Sequence, residues 1–336
     1  MPESPSRLIP QSILLALLCW TAAVGHVRAD EAPSGQPAKP PTANHRRPAN
    51  DDELRYWLQN MVWYHQFTID EVTAATGMDA EEVRSAMARF DIRSDNRPGP
   101  DADPEQEKLL VLPYPGGRHP RVGHRLAAIR PQRESKISIF APWEQPSYVV
   151  VDVPEAIEAD LGLLFLAHTH VPTYWTEQNI ELERLEWNRR ADGGLDIQRR
   201  LPNGISFTTR VDPLREGVRM SFALTNGTDQ KLTRLRMVPC AILGGAPGFE
   251  QQTNDNKILE KPFAACRSVA GDRWIITSWE GCRAVAGNSK CPCLHSDPPM
   301  WECEPGQTVT ARGWMSFYEG TDIEAEFHRL QGVMWR

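Results

Sequence analysis

The feature that most constrains the fold is a period-two alternation of apolar and polar residues that begins near residue 109. Residues two apart on a β-strand point to the same face of the sheet, so the alternation predicts strands with one face in a core. Turn residues that tolerate a positive φ separate the runs, including Asn203-Gly204 and Asn226-Gly227. The clearest predicted strands are residues 136–141, 148–153, 162–171, 180–189, 195–200, 205–211, 218–225, 235–243, 273–279 and 308–315.

So many strands exceed the seven to nine of an immunoglobulin-type sandwich. We therefore expect a mainly β fold, with a large antiparallel β-sandwich over residues 109–336. Two Pro-rich segments without apolar periodicity, 30–50 and 94–108, predict a spacer and a linker.

Residues 51–93 follow a helical pattern instead. Thr68 and Asp79 each precede a Glu by three residues, which is the capping-box spacing, and Gly77 lies where the intervening helix must end. We predict a small module of three helices. The segment resembles a helix-turn-helix, but it holds nine acidic residues against four arginines and the whole chain has a net charge of −7. Nucleic acid is therefore not an expected partner, and a protein partner of this module is the alternative.

The N-terminus predicts export. An apolar run over residues 13–24 ends near Val27-Arg28-Ala29, a small-residue cleavage pattern typical of a signal peptide over residues 1–29. The run is too short for a stable membrane span. We expect a periplasmic or secreted bacterial protein.

Six cysteines follow the predicted cleavage site, an even number that permits complete pairing in an oxidising compartment. The predicted disulfide candidates are Cys240, Cys266, Cys282, Cys291, Cys293 and Cys303. An alternative is zinc bound by thiolates and an imidazole in the loop that holds Cys282, Cys291, Cys293, His295 and Cys303. Export favours the disulfides.

Residues 218–232, an alternating strand followed by an Asn-led turn and a return strand, resemble segments of the galactose-mutarotase-like supersandwich. That fold is common in sugar-processing enzymes. The runs YPGGRHPRVG, SYVVVDVPEAI, LAHTHVPT and QTNDNK also resemble an uncharacterised family of exported bacterial proteins. The first resemblance implies a carbohydrate ligand, and the second implies export.

His168 and His170 are two residues apart in a predicted strand, so both imidazoles point to one side. They are candidate catalytic residues together with Glu177, or candidate ligands of a divalent metal. No other cofactor is indicated. The same pair, after Gly162, resembles the first half of the cupin motif, although Glu177 lies later than that motif requires.

The remaining candidates would bind the substrate. Tyr174 and Trp175 could stack on a sugar ring. Two polar loops could recognise hydroxyl or carboxylate groups; they contain Arg118, His119, Arg121 and His124, and Asn254, Asp255 and Asn256.

We therefore predict an exported protein that binds or processes carbohydrate or another small polar ligand. The alternatives are a non-enzymatic envelope scaffold and a cupin-like metal-dependent enzyme. No motif names a reaction, and the sequence leaves open whether the chain is an enzyme.

Overall fold

A computed structural model describes residues 45–98, 108–115, 134–143, 146–167 and 172–336. The chain divides into a unit over residues 1–40 and a compact unit over residues 41–336, and every described residue belongs to the second. The described residues form mainly β structure in two large antiparallel sheets, which confirms the predicted fold class. The predicted signal peptide lies outside the described residues, and the predicted domain boundary at 94–108 stays a prediction.

The predicted helical module is present. Helix α1 (Asp51–Gln59) continues into a π-helical turn (Asn60–Tyr64) and is followed by α2 (Ile69–Thr76) and α3 (Ala80–Arg89). Both capping boxes form, at Thr68 with Glu71 and at Asp79 with Glu82. Gly77 ends α2 with a φ of 71°, a left-handed conformation that favours glycine.

Sixteen strands are found among the described residues, listed here in chain order. They are β1 (Val111–Pro113), β2 (Lys136–Phe140), β3 (Tyr148–Ala159), β4 (Gly162–Leu166), β5 (Asn188–Arg189), β6 (Leu195–Arg200), β7 (Ser206–Pro213), β8 (Val218–Thr225), β9 (Leu232–Ile242), β10 (Lys257–Glu260), β11 (Phe263–Arg267), β12 (Arg273–Trp279), β13 (Ala284–Gly287), β14 (Cys293–Asp297), β15 (Trp301–Cys303) and β16 (Thr308–Glu319).

The first sheet has the order β1-β2-β3-β9-β14-β13, with β4 added beside β3 and β15 beside β9. The second sheet has the order β10-β11-β12-β16-β8-β7-β6-β5. Alternate residues of each strand enter the core between the sheets, as in β8, where Val218, Met220, Phe222 and Leu224 are buried. A C-terminal helix, α4 (Ile323–Gln331), which the sequence pattern did not predict, packs on β11, β12 and β16 of the second sheet.

The helical module packs on the outer face of the first sheet. Leu58 and Val72 of the helices lie in one hydrophobic cluster with Phe140, Tyr148 and Val150 of β2 and β3. His65, at the end of the π-helical turn, is fully buried, with Nδ1 3.0 Å from the Asn60 carbonyl oxygen and Nε2 2.7 Å from the Ser138 hydroxyl. The helices therefore complete their core with residues of the sheet.

One predicted strand is wrong over most of its length. Of residues 180–189, only Asn188–Arg189 is a strand. Arginine side chains take the place of a neighbouring strand: the Glu183 carbonyl oxygen accepts a hydrogen bond from Arg199, and that of Leu185 accepts one from Arg46. The alternating pattern thus marks an extended segment whose backbone is satisfied by side chains.

Candidate functional site

The register of the first sheet brings distant cysteines and a histidine together. Strands β9 and β14 are antiparallel, with Cys293 opposite Ile242 and Leu294 opposite Ala241. One further step of this register places His295 beside Cys240. Because residues two apart on a strand share a face, Cys240, Cys293 and His295 all lie on one side of the sheet. The thiols of Cys240 and Cys293 belong to the hydrophobic cluster that the helices form with this outer face.

The three side chains meet closely. One ligand atom from each of Cys240, Cys293 and His295 lies within 4.8 Å of the other two. The distance from Cys293 Sγ to His295 Nε2 is 3.7 Å. Both cysteines are buried, at 4% and 3% exposure, whereas the His295 side chain is 21% exposed. The group therefore lies just below the surface.

Burial keeps the thiols protonated at neutral pH. The hydrogen bond with Cys293 lowers the pKa of Cys240, but burial and the charges of Glu155 and Asp152 raise it to about 12. The hydrogen bond with Cys240 and burial likewise raise the pKa of Cys293. Burial opposes protonation of His295, but Cys293 and Glu155 together raise the pKa of its imidazole to about 10.

A carboxylate lies on the other side of the imidazole. Glu155 Oε2 is 4.0 Å from His295 Nδ1. Glu155 belongs to a bulge in β3, because the register with β9 shifts between Asp152 and Ala156. Bulges re-aim side chains and often lie next to functional sites. The two ring nitrogens of His295 thus face a thiol and a carboxylate.

A second polar pair lies on the same face. Arg283 Nη2 is 3.2 Å from Asp297 Oδ2, and the backbone N–H of Arg283 donates to the Asp297 carbonyl oxygen at 2.8 Å. Asp297 Oδ1 and Arg283 Nε are buried atoms that have no hydrogen-bond partner. Burial raises the pKa of Asp297, although His295, Arg283 and Arg236 lower it. We call Glu155, Cys240, Arg283, Cys293, His295 and Asp297 the His295 cluster.

None of the predicted catalytic and substrate-binding residues that the structure describes belongs to this cluster, and six others lie outside the described residues. The latter are His168, His170, Arg118, His119, Arg121 and His124. Ala167, the last described residue before this His pair, donates its backbone N–H to the Glu155 carbonyl oxygen at 2.6 Å. Glu177 is exposed in a short 3-10 turn, Thr176–Gln178.

The predicted aromatic platform is largely core. Trp175 is 2% exposed, and its indole N–H donates to the Leu164 carbonyl oxygen at 2.7 Å. Tyr174 is half-buried and meets the Trp175 ring edge-on at a centroid distance of 4.9 Å. Of the two rings, only Tyr174 reaches the surface.

The amide loop lies beside the edge strand β13. Asn254 Oδ1 accepts a hydrogen bond from Lys257 Nζ at 3.2 Å, and both side chains lie against Gly287. Asp255 is exposed, and its backbone N–H donates to the Thr253 hydroxyl. The side-chain amide atoms of Asn256 are buried without a partner.

The predicted disulfides are not formed in this structure, where all six cysteines are free thiols. Cys282 and Cys303, which the zinc alternative included, are not in the group that Cys240, Cys293 and His295 form; they donate to the carbonyl oxygens of Ala284 and Gln307. Sequence reasoning named Cys240 only as a disulfide candidate and missed Glu155, Arg283 and Asp297. A signal for Asp297 was available, since it continues the alternation from Cys293 and His295.

No helix among the described residues is both long and apolar enough to cross a bilayer. No family model and no curated protein matches the chain.

Several solved structures are similar to it. They include a polysaccharide lyase, with 10% identity and a TM-score of 0.36 over 64% of this chain and 33% of that one. A structure assigned as a kojibiose phosphorylase from the human microbiome has 6% identity and a TM-score of 0.35 over 70% and 35%. A structure assigned as a mutarotase from Salmonella typhimurium has 7% identity and a TM-score of 0.29 over 55% and 90%. The chain therefore spans about a third of the length of the first two, and similarities this weak transfer no activity to it.

Proposed function

We propose that this chain is an exported protein that binds or processes carbohydrate, and that its ligand site is the His295 cluster. The observation that carries the proposal is that two of the sixteen unpartnered buried atoms among the described residues belong to the two members of one ion pair, Asp297 and Arg283. A buried polar atom without a partner costs about 1–3 kcal/mol, so native proteins leave few of them. A ligand that supplies both partners removes this cost.

Vicinal hydroxyl groups of a sugar fit the pair. One hydroxyl donates to Asp297 Oδ1, and its neighbour accepts from Arg283 Nε. The two side chains are joined by their own ion pair, at 3.2 Å, so acceptor and donor keep a fixed spacing. The side chains are 36% exposed for Arg283 and 17% for Asp297, so the pair lies at the surface, and a ligand must displace neighbouring atoms to reach the two buried ones.

Glu155 and Asp297 would supply carboxylates beside His295 for a reaction at the sugar ring. His168 and His170, which lie outside the described residues, stay the predicted proton donors, and Glu177, exposed in its 3-10 turn, stays an alternative base. Export through residues 1–29 is part of the proposal, since an extracellular or periplasmic location would expose the protein to glycans.

The test is a glycan array on the mature protein collected from the periplasm, followed by calorimetry with the best ligand. Asp297→Asn and Arg283→Gln should each weaken binding by roughly 10-fold or more, because a charged hydrogen bond contributes about 1.5–3 kcal/mol. Arg312→Gln is the matched control, since Arg312 forms a similar ion pair with Glu280 at 2.6 Å on another part of the surface. Absence of any glycan ligand, or equal binding by all variants, would contradict the proposal.

A further inference from the structure

The structure points to a second property of the same face. We propose that Cys240, Cys293 and His295 bind a zinc ion, with Cys291 as the fourth ligand. The proposal does not depend on carbohydrate binding. It rests on the positions of four side chains that come from two strands and one turn.

The distances between the ligand atoms are close to those of tetrahedral zinc. Tetrahedral zinc has Zn–S bonds of about 2.3 Å and Zn–N bonds of about 2.0 Å, which set sulfur–nitrogen separations of about 3.6 Å and sulfur–sulfur separations of about 3.8 Å. Cys293 Sγ and His295 Nε2 are 3.7 Å apart. The ligand atoms of Cys240, Cys293 and His295 lie within 4.8 Å of one another, so about 1 Å of adjustment brings these three to zinc; Cys291 lies outside this group and has to move further.

Cys291 is positioned to supply a fourth ligand. Cys291 is buried at 7% exposure, and its thiol is hydrogen-bonded to that of Cys293. The backbone turns sharply between them, since the N–H of Cys293 donates to the Cys291 carbonyl oxygen at 2.8 Å. Three cysteines and one histidine are a ligand set typical of structural zinc.

The imidazole of His295 is oriented as in metal-bound histidines. Metal-bound histidines commonly direct the nitrogen that does not bind the metal towards a carboxylate, which fixes the ring and raises its basicity. Nε2 of His295 faces Cys293, and Nδ1 faces Glu155 at 4.0 Å. Thiols that only filled space in a core would not need this arrangement.

Zinc binding forms three Zn–S bonds and one Zn–N bond. The thiols, and the imidazole where it is protonated, release their protons to water, so there is no oxidation or reduction. The ion would join β9 to β14 and to the turn at Cys291 below the helices. Its expected role is to brace the outer face on which the helices pack.

The test begins with elemental analysis of the mature protein, purified from the periplasm without chelators. Zinc should be present in stoichiometric amount, be lost in Cys293→Ser and be retained in Cys282→Ser. Cys282 is the matched control because it lies outside the group of ligand atoms; its thiol donates to the Ala284 carbonyl oxygen and accepts from the Ser296 hydroxyl. Glu155→Gln should weaken zinc affinity by about 10- to 100-fold while keeping the ligands.

If Cys293→Ser fails to fold, the metal-free wild type is titrated with cobalt instead. Thiolate-to-cobalt absorption bands should then appear. Failure to bind either zinc or cobalt would overturn the proposal, as would a disulfide between any two of Cys240, Cys291 and Cys293 in non-reducing peptide mapping. Metal that persists in Cys293→Ser would overturn it too. Loss of glycan binding with zinc retained would instead contradict only the proposed function.

Discussion

Lys136 and Asp152 form an ion pair that water does not reach, and the substitution Lys136→Met removes its cation. The two residues are directly opposite on β2 and β3, and Lys136 Nζ is 2.7 and 2.6 Å from the two carboxylate oxygens. Their side chains are 1% and 0% exposed. Met keeps the apolar stem of Lys136 and removes its charge, so the change is mainly electrostatic.

Protonation of the carboxylate limits the loss of stability in Lys136→Met. Removing one partner of a buried ion pair typically costs about 3–5 kcal/mol. A buried carboxylate that has lost its cation can instead take up a proton, and for an ordinary aspartate this costs about 4 kcal/mol at pH 7 and about 1.5 kcal/mol at pH 5. The electrostatic loss of stability in Lys136→Met should therefore be about 4 kcal/mol at pH 7 and fall to about 1.5 kcal/mol at pH 5.

Urea unfolding of both proteins at the two pH values measures this loss, provided that the slopes agree. Adding Asp152→Leu to Lys136→Met should restore most of the lost stability, because no buried charge then remains. Arg312→Met is the control: its ion pair with Glu280 is 46% and 45% exposed, so the loss should stay below about 1 kcal/mol. A loss below about 1 kcal/mol in Lys136→Met, or an equal loss at both pH values, would refute the reasoning.

Two further predictions concern other parts of the fold. Partial burial raises the pKa of Glu186, whose side chain is 39% exposed, although Arg46 opposes the shift, so the folded state keeps this proton to a higher pH than the unfolded chain. Its contribution to stability is therefore present at acid pH and lost as the pH rises through the raised pKa. Thermal melts at increasing pH should show the melting temperature of the wild type falling relative to that of Glu186→Gln. A difference in melting temperature that does not change with pH would contradict this. Phe327 of α4 stacks on Phe263 at a centroid distance of 4.3 Å. Phe327→Ala should therefore lower the free energy of unfolding in guanidinium by about 3 kcal/mol. A loss below about 1 kcal/mol would mean that α4 does not pack on the sheet.

Local signals predicted the elements whose physics is local. The capping boxes at Thr68 and Asp79 and the glycine at Gly77 define helix ends within a few residues, and all three form as the sequence indicates. The alternation of β8 fixes its buried face without knowledge of the neighbouring strands. Residues 180–187 show the limit of this reasoning, since alternation cannot reveal whether another strand or an arginine satisfies the backbone.

The candidate site depended on long-range pairing. Cys293 and His295 share a face because they are two apart on one strand, which the sequence shows. Cys240 joins them only because β9 pairs with β14, and no local pattern specifies that partner. Glu155 reaches His295 from a bulge, which alternation alone does not locate. Trp175, predicted to form a surface platform with Tyr174, is instead buried in the core.

The outer face of the first sheet has a part that the helices cover and a part at the border of that cover, and this division favours function at the border. Where β2 and β3 meet the helices, the face is buried, and its polar groups, such as Lys136 with Asp152, are paired within it. Along β9 and β14 it carries thiols, an imidazole and charged groups, with Cys240 opposite the buried carboxylate of Asp152. Electrostatic interactions strengthen where apolar packing excludes water. Groups at the border of the helical cover thus combine a low-dielectric environment with access from solvent, which both a bound metal ion and a bound sugar require.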